Sequence, residues 1–219
     1  MTFIHKEIDI IDLNTETING GRYYVTPVGK LPSITTVLSV LSEDSIRQWK
    51  ERVGEEEANK ISSMASRRGT RVHEIFEDYL NNKEITGILP CDKALFVQAK
   101  KHLDKSIGMV YTQEAALYSK YLGIAGRVDC IAEWNGRLSV IDFKTSRKPK
   151  KREWISSYFQ QTSAYCVMFE EMYKIPVDQI VIIVAVDDQT EPQIFVEKRD
   201  DHIWDCVETI KLYKSKLLS

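Results

Sequence analysis

Residues 126–145 carry the clearest hairpin pattern in the chain, and they read GRVDCIAEWNGRLSVIDFKT. Asn135 and Gly136 separate two β-prone runs in this segment. An Asn-Gly pair between such runs favours a type I′ turn, because that turn needs positive φ at both central positions. With these two residues in the turn, Trp134 faces Arg137, and every other pair of the hairpin follows from that register.

The predicted register brings two acidic side chains together. Counting outward from the turn places Asp129 opposite Asp142, with Lys144 on the same face as Asp142 and Arg127 across from it. Directly opposed side chains have Cβ atoms ~5 Å apart, where like charges repel each other. The repulsion calls for a shared proton, a salt bridge to Arg127 or Lys144, or a divalent cation. Oxygen ligands of this kind favour Mg²⁺ or Mn²⁺.

A cation held by two carboxylates beside an ammonium group has the parts needed for phosphodiester hydrolysis. The cation polarises a phosphoryl oxygen and lowers the pKa of a water molecule. Lys144 then either steadies the developing negative charge or takes the proton of that water. A purely structural salt-bridge cluster is the alternative. We favour the catalytic interpretation because the lysine follows Asp142 at the right spacing on the same face.

Length, charge and cysteine usage limit the class of protein. The chain has 219 residues, a net charge of −2 and 28% charged residues, which favours one globular domain. No apolar run approaches the ~20 residues of a membrane helix, and residues 1–13 show no signal or transit pattern. We therefore expect a cytoplasmic protein without membrane contact. The cysteines are widely spaced, which predicts buried free thiols, no disulfide and no iron–sulfur cluster.

Hydrophobic periodicity predicts an α/β or α+β fold in which a central mixed sheet is flanked by helices. Strands are expected at 22–26, 109–118, 123–134, 137–145, 180–187 and 193–198. Helices are expected from Ser33, from Ser42 or Asp44, and at 93–106, 153–173 and 200–218. The basic segment 67–70 is predicted to interrupt the second of these helices, with Thr70 capping the next one.

The GxxD motif at 126–129, followed by DFKT at 142–145, resembles the PD-(D/E)XK nuclease superfamily in its RecB-type branch. GTRVH at 69–73, QTSAY at 161–165 and segments 31–38 and 49–58 look like the mitochondrial genome maintenance exonuclease family and its bacteriophage relatives. The resemblance implies a single nuclease domain over 1–219. N-terminal strands and helices at 1–85 would precede a restriction-endonuclease-like core at 86–219.

The resemblance also implies roles for individual residues. His73, Asp129, Asp142 and the backbone carbonyl of Phe143 would bind the metal, and Gln161 would position Lys144 or the substrate. His73 would lie in the first turn of the helix capped by Thr70, where the helix dipole keeps the imidazole neutral.

The sequence leaves open the roles of two further acidic residues near the expected site. Glu77 is either an outer ligand or an ordinary helix surface residue, and Glu114, on the strand before the hairpin, has no assigned role.

Basic and aromatic residues border the expected site and suggest contacts with DNA. A loop that leaves the strand of Lys144 carries several positive charges, and a default interpretation is a solvated loop. Its start beside the expected metal favours contacts with phosphates. Aromatic side chains near the loop, Tyr158 or Trp154 first, could stack on unpaired bases. The residues expected to contact nucleic acid are Arg67, Arg68, Arg71, Arg127, Thr145, Arg147, Lys148, Lys150, Lys151, Tyr158 and Tyr165.

The sequence therefore predicts a Mg²⁺- or Mn²⁺-dependent exonuclease that hydrolyses DNA from free, single-stranded ends, in DNA repair or recombination. The lack of a mitochondrial presequence favours a bacterial or phage protein. A structure-specific or restriction-type endonuclease of the same fold is one alternative. A non-catalytic nucleic-acid-binding module is the other.

Overall fold

The structure is a computed structural model that describes residues 2–218. The strands are β1 (Ile4–His5), β2 (Thr15–Ile18), β3 (Gly21–Thr26), β4 (Gly29–Pro32), β5 (Ile107–Ser119), β6 (Ile124–Trp134), β7 (Arg137–Ser146), β8 (Gln179–Val186) and β9 (Gln193–Lys198). The helices are α1 (Ile34–Leu38), α2 (Glu43–Val53), α3 (Glu55–Leu80), α4 (Pro90–Ser106), α5 (Ser156–Tyr173) and α6 (Ile203–Leu218).

A six-stranded sheet forms the centre of the protein, with strand order β1-β5-β6-β7-β8-β9. Strands β5, β6 and β7 are antiparallel neighbours, and β8 pairs parallel to β7. Parallel pairing requires a crossover, which α5 provides. The predicted mixed sheet is therefore confirmed. Strands β2, β3 and β4 form a separate antiparallel sheet.

The hairpin between β6 and β7 follows the predicted register. Asn135 has a φ of +52° and Gly136 a φ of +79°, as a type I′ turn requires. Trp134 pairs with Arg137, and the ladder continues outward to Cys130.

Helices cover both faces of the sheet. On one face, Phe159 and Cys166 of α5 and Ile210 of α6 belong to one buried apolar cluster. On the other face, a second cluster includes Phe76 of α3 and Leu103 of α4. Strand β8 lies between them, and all of its residues except the first are buried. Such continuous burial is expected for a strand with both faces covered.

The N-terminal helices differ from the prediction. Helix α3 runs without interruption from Glu55 to Leu80, so the expected break at 67–70 is wrong and Thr70 caps nothing. The Thr70 hydroxyl instead donates to the carbonyl of Ser66, one turn earlier in the same helix. The break lies at Gly54, whose φ of +86° separates α2 from α3. Helix α2 buries none of its residues.

The cysteines and the helices bear on two further expectations. All four cysteines are free, but Cys91 is exposed, so only three of the four thiols are buried as predicted. Within residues 2–218, no helix has the length and apolarity needed to cross a membrane. The proposed division at residue 85 stays a prediction.

Candidate metal and catalytic site

Asp129 lies where the ladder between β6 and β7 ends. The last pair is Cys130 with Ile141, and Asp129 does not form the next pair with Asp142 as predicted. Its Oδ2 atom instead accepts a 2.8 Å hydrogen bond from the backbone N–H of Phe143. The side chain thus occupies the place of a backbone partner, and this bond fixes the direction of the carboxylate.

Asp142 and Lys144 form an ion pair at the end of β7. Nζ of Lys144 lies 2.8 Å from Oδ1 and 2.7 Å from Oδ2 of Asp142. The side chain of Asp142 is 1% exposed and that of Lys144 is 21% exposed. The predicted common face of these two residues is therefore confirmed. Among the described residues only Oδ1 receives a hydrogen bond of good geometry, and Oδ2 is left as a buried acceptor.

The charge states of this pair follow from burial and from Asp129. Burial raises the pKa of Asp142 to about 6; the charge of Lys144 opposes this change and that of Asp129 adds to it. Burial lowers the pKa of Lys144, but the charges of Asp142 and Asp129 raise it more, so the net change is upward. Lys144 is therefore an ammonium ion at neutral pH.

His73 reaches the site from the middle of α3, because this helix has no break at 67–70. Its Nδ1 atom lies 3.4 Å from Oδ2 of Asp129. The ring of Phe76, one turn further along α3, stacks on that of Phe143 at 4.4 Å between centroids. This contact holds the helix against β7. The expected helix-dipole effect on His73 does not apply, since the dipole acts only within the first turn of a helix.

Glu114 is the acid that the sequence left without a role. It lies on β5 between the pairs Gln113–Cys130 and Ala115–Val128, which brings it opposite Asp129. Its φ of +47° is a left-handed conformation that is uncommon for a residue with a Cβ atom. Backbone strain of this kind concentrates at functional sites. The only sequence signal was its position on the strand before the hairpin.

His73, Glu114 and Asp129 form a cluster that could hold a metal ion. One potential ligand atom from each of the three lies within 4.8 Å of the others. Burial raises the pKa of Glu114 to about 7, with a further contribution from the charge of Asp129. A divalent cation would offset both effects because it favours the charged carboxylates. Two carboxylates and an imidazole fit a divalent metal.

The cluster agrees only in part with the predicted ligand set. The structure brings together His73 and Asp129, and it adds Glu114. Asp142 stands beside the cluster with its charge paired to Lys144. Its Oδ2 atom, which lies close to the ammonium but accepts no hydrogen bond of good geometry from the described residues, is a further candidate ligand. The proposed role of the carbonyl of Phe143 stays a prediction.

Helix α5 presents Gln161 and Tyr158 towards this region. The ring of Tyr158 has Nζ of Lys144 at 5.3 Å from its centroid, a cation–π distance. Gln161 is 9% exposed, and its Nε2 atom donates to the hydroxyl of Tyr165 at 3.3 Å. Tyr165 is 2% exposed and packs against Gly126, where a Cβ atom would come within 2.6 Å of its ring. This burial corrects the expected contact of Tyr165 with DNA and makes it a support for Gln161.

A basic groove of about 810 Å³ lies between α3 and the end of β7. Two of its arginines are held by acids. Arg68 forms a two-pronged ion pair with Asp187, and Arg71 bonds the buried Asp92 through Nε at 2.6 Å. The cationic residues that line this groove are Arg67, Arg68, Arg71, Arg147, Lys148 and Lys150.

The remaining predicted DNA-contacting residues lie close to these features. Thr145 lines the basic groove, and Nζ of Lys151 lies 5.1 Å from the ring centroid of Trp154. Arg127 instead donates to the backbone carbonyl of Glu114 and lines a smaller cavity of about 450 Å³ with His73, Glu114 and Asp129. Arg127 thus supports the strained backbone of Glu114 and does not pair with Asp142.

The mixed sheet, with Asp129, Asp142 and Lys144 on neighbouring strands, is the architecture of restriction-endonuclease-like nucleases. The sequence model that describes the PD-(D/E)XK nuclease superfamily matches residues 94–206, just over half of the chain. The chain belongs to this superfamily.

Curated relatives carry one name. Over 175 residues the chain is 31% identical to human "Mitochondrial genome maintenance exonuclease 1", covering 72% of this chain and 50% of the relative. The mouse protein of the same name is 33% identical over 129 residues, covering 55% of this chain and 38% of the relative. The chain thus spans about half the length, or less, of these relatives. Both are mammalian proteins named for mitochondria, and they give no support to the expected bacterial or phage source.

A solved structure described as "Crystal structure of SSO0001" also aligns with this chain. It covers 82% of this chain and 74% of its own, with a TM-score of 0.44 and 15% identity. This likeness is too remote to support an argument about fold or function.

Proposed function

We propose that this chain is a divalent-metal-dependent deoxyribonuclease that removes nucleotides from single-stranded DNA ends. The observation that carries the proposal is the buried Asp142–Lys144 pair beside the cluster of His73, Glu114 and Asp129. The exonuclease names of the curated relatives support action on free ends, and the basic groove beside Lys144 supports a nucleic acid as the substrate.

His73, Glu114 and Asp129 would hold the metal, with Oδ2 of Asp142 as a further ligand. A bound Mg²⁺ or Mn²⁺ ion supplies Lewis acidity towards a phosphoryl oxygen and towards water. The backbone N–H of Phe143 keeps the carboxylate of Asp129 aimed into the cluster, at 2.8 Å. Fixed ligand directions of this kind reduce the reorganisation needed when a substrate binds.

Lys144 would act as a donor to the reacting phosphate. Its raised pKa keeps a proton on Nζ at neutral pH, so it does not serve as the base that takes a proton from water. A positioned ammonium stabilises the negative charge that develops on the phosphoryl oxygens in the transition state. Of the two roles open from the sequence, charge stabilisation is therefore the one we propose.

The position of Lys144 is held from two sides. Asp142 binds the ammonium at 2.7 Å, and the ring of Tyr158 faces it. Gln161, whose amide donates to the hydroxyl of Tyr165, lines the same cavity as Tyr158. We propose that Gln161 orients the substrate phosphate or Lys144 through its remaining amide atoms.

The test is single-turnover digestion of end-labelled single-stranded DNA with Mg²⁺ or Mn²⁺. Lys144→Ala should abolish cleavage and leave DNA binding within a few-fold, because it removes a group that acts in the transition state. Lys83→Ala is the matched control, since Lys83 is an exposed lysine whose salt bridge is to Asp78, outside the candidate site. Cleavage by Lys144→Ala at the wild-type rate would overturn the proposal.

Closed circular single-stranded DNA separates the proposal from its alternatives. An exonuclease leaves the circle intact, whereas an endonuclease of the same fold would cut it. A binding module would cut neither substrate, and Mn²⁺ would not raise its melting temperature, because a ligand stabilises only a protein that binds it.

A further inference from the structure

A second cavity, which shares no lining residue with the basic groove, is connected to Lys144 through Tyr158. It has a volume of about 640 Å³ and lies between the first N-terminal helices and the start of α5. Its lining includes Trp154, Tyr158 and Gln161 on one side and Ser39, Ser42 and Ser45 on the other. The volume falls within the usual range of small-ligand sites.

Two aromatic rings line this cavity, together with Leu38 and Leu41. Trp154 is 64% exposed, so most of its indole surface is open to a ligand in this cavity. Tyr158 is half-buried, and its ring contacts the ammonium of Lys144. Tyr158 thus joins the cavity to Lys144, the residue that would bind the reacting phosphate.

The opposite side of the cavity offers hydrogen-bond acceptors. The hydroxyls of Ser39, Ser42 and Ser45 each donate to a backbone carbonyl three residues earlier. A serine oxygen whose hydrogen is used in this way keeps its lone pairs free to accept. A flat aromatic surface that faces several acceptors suits a heterocycle with N–H groups on its edge.

We propose that this cavity binds one unpaired nucleobase of the substrate strand, next to the phosphate at Lys144. The inference rests on the proposed nuclease function and names the feature that selects single-stranded DNA. A base in a duplex has its edge and both faces occupied, and it must leave the stack before it can enter such a cavity. An unpaired base enters without that cost, and its face stacks on Trp154 whatever its sequence.

The test uses the metal-loaded protein and oligonucleotides with one abasic position, placed in turn at each nucleotide from the end. In the wild type, an abasic site at one particular position should raise KM about tenfold, as expected for the loss of a stacked base. In Trp154→Ala, the intact oligonucleotide should show the same increase, and the abasic position should add nothing further. Trp154→Phe, which keeps a ring, should restore the dependence on that base.

Trp204→Ala is the matched control, because Trp204 is 71% exposed on α6 and does not line this cavity. It should behave as the wild type does with every oligonucleotide. The inference is overturned if no abasic position affects the wild type more than it affects Trp154→Ala.

A binding experiment separates this inference from the nuclease proposal. Lys144→Ala is used with single-stranded DNA that carries 2-aminopurine at the sensitive position, or at each position in turn. Stacking on Trp154 should quench the fluorescence, and the added Trp154→Ala substitution should restore it. Wild-type cleavage without quenching would overturn the cavity assignment alone. Quenching without wild-type cleavage of any DNA would overturn the nuclease proposal.

Discussion

Replacing Glu114 by glutamine tests the electrostatics of the metal cluster in the metal-free protein. The pKa of Glu114 rises from its usual value of 4.5 to about 7 in the folded state, first because of burial and then because of Asp129. The folded state therefore holds this proton more tightly than the unfolded chain does. Between pH 4.5 and 7 the free energy of unfolding should fall as pH rises, because only the folded state resists ionisation of Glu114.

The change in the free energy of unfolding follows from the pKa values of Glu114 in the unfolded and folded states. Their difference of about 2.5 corresponds to ~3 kcal/mol at 1.36 kcal/mol per pKa unit, and partial exposure of Glu114 reduces this to about 2 kcal/mol. Glu114→Gln should therefore be more stable than the wild type by about 2 kcal/mol above pH 7 and nearly equal to it near pH 4. Urea unfolding in the presence of a chelator, repeated across this range, measures the difference.

Two comparisons make the test decisive. Glu57→Gln, at an exposed position of α3, is the matched control and should leave the pH profile of unfolding unchanged. Adding Mn²⁺ should stabilise the wild type more than Glu114→Gln, because the variant lacks one of the proposed ligands. A pH profile of Glu114→Gln that runs parallel to that of the wild type would refute the electrostatic argument.

Three stability predictions concern packing and backbone groups, each measured by urea unfolding. Gly126→Ala should lower the free energy of unfolding by about 1–3 kcal/mol. The new Cβ would lie 2.6 Å from the ring of Tyr165, and the core cannot relax freely. An unchanged free energy of unfolding would contradict this packing. Gly69→Ala should raise the free energy of unfolding by about 0.5–1 kcal/mol. Gly69 lies inside α3, and the new Cβ would meet no neighbouring group within 4 Å. A lower free energy of unfolding would contradict the continuous helix. Gln98→Leu should lower the free energy of unfolding by about 2 kcal/mol or more. The side-chain amide of Gln98 forms hydrogen bonds with both the N–H and the carbonyl of Val186. An unchanged free energy of unfolding would show that these two backbone groups find other partners.

The sequence predicts those parts of the fold that depend on the conformational preferences of neighbouring residues. The hairpin depends on Asn135 and Gly136, whose preference for positive φ needs no tertiary contact. The strands on either side of it follow from alternation and from buried β-branched runs. The predicted bounds of β6 and β7 differ from the observed ones by one residue each.

The sequence predicts the helix break at the wrong place because two glycines are candidates for it. Gly69 follows two arginines and precedes a capping-type residue, which is a stronger local pattern than the one around Gly54. Arg68 and Arg71 form ion pairs with acids outside α3, and Phe76 stacks on Phe143. These tertiary contacts stabilise the continuous helix through 67–70. Helix propensity is a weak prior against such contacts.

The candidate metal-binding cluster of His73, Glu114 and Asp129 is likewise only partly predictable from the sequence. Asp129, Asp142 and Lys144 were found because one hairpin register relates them. Glu114 was left without a role because its orientation depends on a left-handed residue within β5, and an acid inside a strand gives no signal of such a backbone. Alternation alone places a side chain on one face or the other, and it cannot predict a local departure from the pleat.

The way α2 is attached allows one part of the molecule to vary independently. This helix buries none of its residues and joins α3 through a single glycine. Substitutions on surfaces of this kind change folding stability little. Changes in the length, charge or shape of this helix should therefore leave the sheet and the carboxylates in place, which makes α2 a tolerant position for an inserted tag or a redesigned surface.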